Sequence, residues 1–214
     1  MVRRTKEEAQ ETRNRILDAA ENVFHERGVA RTSLSDIAQA AHVTRGAIYW
    51  HFRNKADLFA AMCDRIKMPM DAMFDPDRAE DDDYVGQLRR IGEYLLQQML
   101  ENSQWRKIFE ILFHKCEFVE DTEPMLIRLQ QSCRENMLRT ERTIRNAIAR
   151  GQLPADLDVP VAVGYYHATL SGIIADHLFY PDCSVLSGNG KRFVGTLVHA
   201  LATSPVLRQG ASSS

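Results

Sequence analysis

Cysteine is scarce in this chain of 214 residues: there are four, Cys63, Cys116, Cys133 and Cys183, and they are widely scattered. With no C-x-x-C pair and no histidine at zinc-ligand spacing, they define neither a zinc site nor a disulfide framework, and reduced thiols are expected. His114 and Cys116 stand two apart, which on a helix turns them about 200° away from each other. No run of about 18 apolar residues occurs, so no membrane-spanning helix is expected. Met1-Val-Arg-Arg leads into no apolar stretch; a signal peptide is not expected, and the cytoplasm is the expected compartment. Also missing are a nucleophile beside a plausible base, a glycine-rich phosphate loop and a cluster of metal ligands, while the adjacent Asp176-His177 is not a catalytic geometry. No enzyme, cofactor or metal is expected. Nothing alternates with period two for long enough to make a strand, so the expected fold class is all-α.

What is present is an ordinary globular composition, 44% apolar and 26% charged. The length suits a small domain beside a larger one. A net charge of −2 hides an uneven distribution, because residues 1–67 carry 12 Lys and Arg against 9 Asp and Glu, and the remainder 15 against 20. One end is modestly basic, a bias compatible with a nucleic-acid partner.

Within that end two short helical patterns meet across a break too tight for anything but a turn. Ser33 is a good N-cap, Asp36 completes a capping box three residues on, and Leu34, Ile37, Ala38 and Ala41 share one face. Thr44 caps a second helix, on which Ile48 and Phe52 point inward with Val43 while Arg45, Gly46, Tyr49 and Trp50 point elsewhere. The turn Ala41-His42-Val43 requires a positive φ at its centre, where histidine is tolerated and glycine is easier. A first helix from about Lys6 to Arg27, stopped by Gly28, closes a three-helix core through Ile16, Leu17, Ala20, Val23 and Phe24.

The pattern is a helix-turn-helix, whose second helix fits a major groove roughly 12 Å wide. Candidate DNA-binding residues are Thr44, Arg45, Gly46, Ala47, Tyr49, Trp50, His51 and Lys55. Arg45 can donate two hydrogen bonds to guanine, Gly46 and Ala47 let the backbone approach the groove floor, and Tyr49, His51 and Lys55 suit phosphates. Asn54 is the expected cap of the next helix, with Asp57 in the capping-box position. Arg3, Arg4 and Lys6 could also reach DNA, although a solvated terminus is the commoner fate of such residues.

Residues 3–59 resemble the DNA-binding domain of the TetR family of bacterial transcription regulators. Arg3-Arg-Thr-Lys-Glu-Glu-Ala-Gln-Glu-Thr-Arg13, Thr44-Arg-Gly-Ala-Ile-Tyr-Trp-His-Phe52 and Asn54-Lys-Ala-Asp-Leu58 are similar to its AcrR-type branch. Glu110-Ile-Leu-Phe-His-Lys-Cys-Glu-Phe118 is similar to the same branch in the ligand domain. The resemblance implies a ligand-responsive repressor of a multidrug efflux-pump operon, released from a palindromic double-stranded operator by bulky hydrophobic or aromatic compounds. The alternative is a ligand-blind DNA-binding or architectural dimer.

The expected domains are 1–54, the three-helix DNA-binding part, and 55–214, a larger helical ligand-binding and dimerisation part, linked by a helix over 55–67. That helix is expected to stop at Pro69, before an acidic run from Asp75 to Asp83. Further helices are expected near 84–101, 104–117, 123–150, 158–180 and 189–203. Apolar stripes with an occasional polar residue predict a pocket lined by Ile66, Ile91, Leu95, Met99, Phe109, Phe113, Asn136, Thr140, His167, Leu170, Ser171 and Ile174. For any single one of these a plain helical core is the simpler reading, and the resemblance is what raises the set. Segment 158–180 is apolar nearly all round, with a small-residue line at Gly164, Ala168 and Gly172, and 189–203 carries a second apolar stripe; together they predict a homodimer.

Overall fold

The computed structural model describes residues 2–73, 82–117, 123–182 and 185–210, with side chains from Lys6 onward. The expected break at Asp121-Thr122, most of the acidic run, Phe118, Cys183 and the side chains of Arg3 and Arg4 lie outside the described residues. The helices are α1 Val2–Arg27, α2 Leu34–Ala40, α3 Arg45–His51, α4 Lys55–Met73, α5 Tyr84–Glu101, α6 Ser103–Glu110, α7 Glu123–Ala149, α8 Val159–Phe179 and α9 Gly190–Thr203. Among the described residues the β-type pairing is a single antiparallel bridge, Leu157 to Arg208. The chain is all-α.

Local chemistry accounts for most boundaries. Gly28 ends α1 at φ 83°, a left-handed conformation that glycine adopts without steric cost. The Ser33–Asp36 capping box starts α2, and the Asp158 side chain accepts from the Val161 N–H to start α8, with Pro160 in its first turn.

Three boundaries differ from expectation. Helix α1 begins at Val2, because nothing before Lys6 is a glycine or proline and Arg and Lys are good helix formers. Helix α4 runs through Pro69 to Met73. Proline forfeits one backbone hydrogen bond there, but the turn beyond it is held from outside: Arg139 binds Asp71, and Gln87 Nε2 donates to the Met73 carbonyl at 2.9 Å. The expected α-helix over 104–117 is α-helical only to Glu110 and widens into a π-helical turn over Ile111–Lys115. Its last carbonyl, that of Lys115, accepts from the Val29 N–H at 3.0 Å, an interaction with the loop after α1 that sequence periodicity cannot encode.

Two compact units result, one formed by residues 1–68 and 104–131 and the other by 69–103 and 132–214. The core of the first gathers Ile16, Phe24, Ile37, Ile48, Leu58 and Phe59, and the Phe24 and Phe59 rings meet edge-on at 6.1 Å. Into this core comes a charged junction. Arg65 on α4 donates to Glu21 at 2.5 Å and to Asp18 at 2.6 Å, and Gln104 on α6 donates to both Glu21 oxygens at 3.2 Å. Glu21 is 4% exposed, and burial, the largest influence on it, pushes its carboxyl above the ordinary value despite the Arg65 guanidinium. Lys107 to Asn22 at 2.6 Å and His25 to Glu110 at 2.5 Å continue the register of α6 on α1.

In the interior of the second unit close apolar packing surrounds neutral hydrogen bonds. A Cβ on Gly92 would lie 3.0 Å from Val194, so glycine there lets α5 and α9 approach. Tyr166, 1% exposed, donates its hydroxyl proton to the Leu88 carbonyl at 2.7 Å.

Candidate nucleic-acid interface

The turn between α2 and α3 is closed by backbone bonds from Ala41 to Ile37 at 2.8 Å and from Val43 to Ala38 at 3.0 Å. At its centre His42 adopts φ 52°, the left-handed conformation the turn requires. Thr44 Oγ1 accepts from the Ala47 N–H at 3.1 Å and caps α3. Ile48 and Phe52, 0% and 2% exposed, anchor that helix to the core.

The opposite face stands in solvent. Thr44, Arg45 and Gly46 are exposed, Ala47 is half-buried, and Tyr49 and Trp50 are 47% and 72% exposed. The Arg45 guanidinium lies over the Tyr49 ring, 5.8 Å from its centre, which restrains a long side chain before any partner arrives. A Cβ on Gly46 would meet only Thr44 Oγ1, at 3.9 Å, so the helix surface there is flat and open. His51, half-buried edge-on to Trp50, is held below its ordinary value first by burial and then by the Arg13 charge, so it is neutral at pH 7. Asn54 caps α4 by accepting from the Asp57 N–H at 2.8 Å, but the reciprocal bond comes from the Arg53 N–H, one residue earlier than a capping box would have it. Lys55 donates to the carbonyls of Val29 and Ala30 at 3.0 and 3.2 Å, an internal tie that sequence spacing does not suggest.

The predicted pocket residues divide between the units. In the first, Ile66 is buried, and Phe109, half-buried, stands 6.3 Å from the ring of Phe113, which is 42% exposed; Trp105 lies 6.4 Å from Phe109 on the other side. In the second, Ile91, Met99, Leu170 and Ile174 are buried, Leu95 and Asn136 are half-buried, and Ser171 is exposed. Thr140, fully buried, shares a 3.0 Å hydrogen bond with His167 Nε2. Burial pushes His167 below its ordinary value, so it is a neutral hydrogen-bonding group at pH 7. Sequence reasoning misses Gln87 and Thr143, a buried polar pair at 3.5 Å. A signal exists: each interrupts an apolar stripe as Thr140 does. Among the described residues no group of His, Cys, Asp and Glu stands close enough to hold a metal, and no helix is long and apolar enough to cross a membrane.

This geometry, a capped groove-sized helix on a three-helix core, meets a clear set of likenesses. Residues 16–62 match the family described as bacterial regulatory proteins, tetR family, and residues 83–203 match the MAATS-type transcriptional repressor, C-terminal region. The chain belongs to the TetR family; it is a DNA-binding transcriptional regulator of the repressor type and not an enzyme. Among its relatives, it is 42% identical to the HTH-type transcriptional regulator TtgR of Pseudomonas putida, over 98% of this chain and 100% of that protein. It is 36% identical to the HTH-type transcriptional regulator AcrR of Shigella flexneri, over the whole of both. Of solved structures, the complex of SmeT with triclosan superposes with TM-score 0.81 at 32% identity, covering 95% of this chain and 98% of that one. SmeT is described as the repressor of the Stenotrophomonas maltophilia multidrug efflux pump SmeDEF.

Proposed function

We propose that the chain acts in the cytoplasm as a homodimeric repressor of a multidrug efflux-pump operon, and that bulky hydrophobic or aromatic compounds release it from a palindromic operator. The observation that carries this reading is α3, anchored by Ile48 and Phe52 and presenting Arg45, Tyr49 and Trp50 to solvent. In this reading residues 1–54 recognise DNA and residues 55–214 bind ligand and the second subunit. Arg45 reads a base, Thr44, Gly46, Ala47 and Trp50 form the surface that enters the groove, and Tyr49 and His51 meet phosphates. Lys55 shares its ammonium with two carbonyls, so its contribution to phosphate binding is the smallest of the set.

Dimerisation is supported by α8, where a Cβ on Gly164 or Gly172 would meet nothing within 4 Å and Ala168 is exposed, leaving a flat line on which a second copy can lie closely. Within the first unit Phe109 and Phe113 supply aromatic faces, and within the second Thr140 and His167 supply neutral hydrogen-bonding groups beside Ile91, Met99, Leu170 and Ile174, chemistry that suits uncharged amphipathic ligands. Helix α4 passes from the first unit into the second between Met68 and Pro69 and is the lever by which ligand would respace the two reading helices.

Selection of duplexes from a random-sequence pool tests the DNA half of this reading. The selected sequences should carry two-fold symmetric half-sites about one helical turn, or a multiple, apart. Arg45→Ala should cost roughly 1–3 kcal/mol of binding and relax preference at one base position per half-site. An asymmetric footprint, or unchanged preference in that variant, contradicts it.

A further inference from the structure

We propose that Arg13, on α1, is a phosphate-binding residue of the DNA interface, docked against the C-terminal end of the reading helix and gripping the backbone beside His51. The inference rests on the repressor reading above and adds to it a residue that lies outside the helix-turn-helix.

Three arginines of the same unit have acidic partners: Arg65 binds Asp18 and Glu21, Arg27 lies 3.8 Å from Asp36, and Arg128 lies 3.8 Å from Asp57. Arg13 has no carboxylate partner among the described residues, yet its position is defined, with the guanidinium carbon 5.1 Å from the centre of the Phe52 ring. Phe52 is the C-cap of α3 and 2% exposed, so this platform is part of the core and cannot swing away. A guanidinium docked on a ring face still has its N–H edge in its own plane, free to form two parallel hydrogen bonds to one oxyanion. Arg13 is half-buried, which leaves part of that edge open to solvent. Its charge also acts on the neighbouring imidazole, since Arg13 is the electrostatic cause that helps hold His51 neutral. A cation without an acidic partner and a neutral ring donor therefore stand together at the end of the helix that reads the groove. Phosphate is the ligand this pair fits: it supplies the anion that Arg13 lacks and an acceptor for the imidazole N–H.

The opposing explanation is that Arg13 merely packs on Phe52. Two variants separate them. Arg13→Met keeps an unbranched apolar stem on the ring and removes the charge, while Arg13→Lys keeps the charge. Binding is measured, across a salt series, to the duplex that the wild-type protein selects from a random pool and to an unselected duplex of equal length. For Arg13→Met the slope of log K against log salt should fall by about 0.9 per protomer bound, with affinity for both duplexes reduced by a similar factor and base preference unchanged. Arg13→Lys should keep the wild-type slope. A wild-type slope in Arg13→Met, or a changed base preference, overturns the assignment. A wild-type protein that binds no duplex sinks the repressor reading and this inference with it, whereas an unchanged slope in a DNA-binding protein removes only Arg13.

Discussion

The two units bury different kinds of polar group. Among the described residues the first, which carries α3, buries the carboxylate of Glu21 against the Arg65 guanidinium as well as the neutral Thr32, whereas the buried polar side chains of the second, Gln87, Thr140 and Thr143, are all neutral. A buried charge pair gives little net stability, because desolvation offsets much of the attraction, but it penalises any displacement of either partner. Neutral pairs tolerate displacement at lower cost. The first unit is thus built to hold α1, α4 and α6 in one register, and the second to keep uncharged donors and acceptors within an apolar interior.

The largest expected effect comes from breaking the charged junction. Arg65→Met leaves Glu21 buried without its cation and should destabilise the protein by about 3–5 kcal/mol in urea unfolding at neutral pH. The loss should shrink in acid, because Glu21, already pushed upward by burial, then takes up a proton. The double variant Glu21→Leu with Arg65→Met should recover much of the loss; a double-variant loss equal to the sum of the two single-variant losses would mean the pair is not coupled.

The matching test in the second unit should be milder. Thr140→Val removes the hydroxyl from His167 and should cost about 1–3 kcal/mol by the same measurement, through an imidazole nitrogen left buried without its partner. A loss as large as that of Arg65→Met would erase the distinction between the units.

Acid sharpens the same contrast. The folded value of His167 lies below its ordinary value because burial disfavours the imidazolium, so as pH falls the unfolded chain takes up the proton first. The stability contributed by neutral His167 is complete above the ordinary histidine value and is lost as pH falls through it toward the folded value. Between about pH 7.5 and pH 5.5 the wild type should lose more stability than His167→Gln. Parallel profiles would show that His167 does not contribute.

At the surface the effects should nearly vanish. Glu141 and Arg145 pair at 2.6 Å one turn apart on α7 with the arginine side chain 59% exposed. Glu141→Gln should change stability by no more than about 0.5 kcal/mol. A larger change in urea midpoint would mean that exposed charge carries stability here as well.

How far the sequence foretells this molecule follows the range of the interactions. Short-range chemistry was legible: the Ser33 box, the Thr44 cap, the positive φ at His42 and the stop at Gly28 each depend on residues within a few positions of one another. What escaped depends on distant partners. The passage of α4 through Pro69 relies on Gln87 and Arg139, the π-helical turn accompanies a bond from Val29, and the seat of Arg13 exists only because Phe52 is folded beneath it. Periodicity also assigns a face without saying whether another element covers it, which is why Ser171 shares a stripe with Leu170 and Ile174 yet is exposed.

The measurement that reaches the central claim is operator release. The complex of the purified protein with its selected duplex is titrated with a panel of bulky hydrophobic compounds, triclosan among them, and free DNA is scored. At least one compound should release the duplex from the wild-type protein, and Phe113→Ala should bind the duplex as tightly but need more of that compound. If no compound releases the duplex, the protein is a ligand-blind DNA-binding dimer and the account of its regulation is wrong.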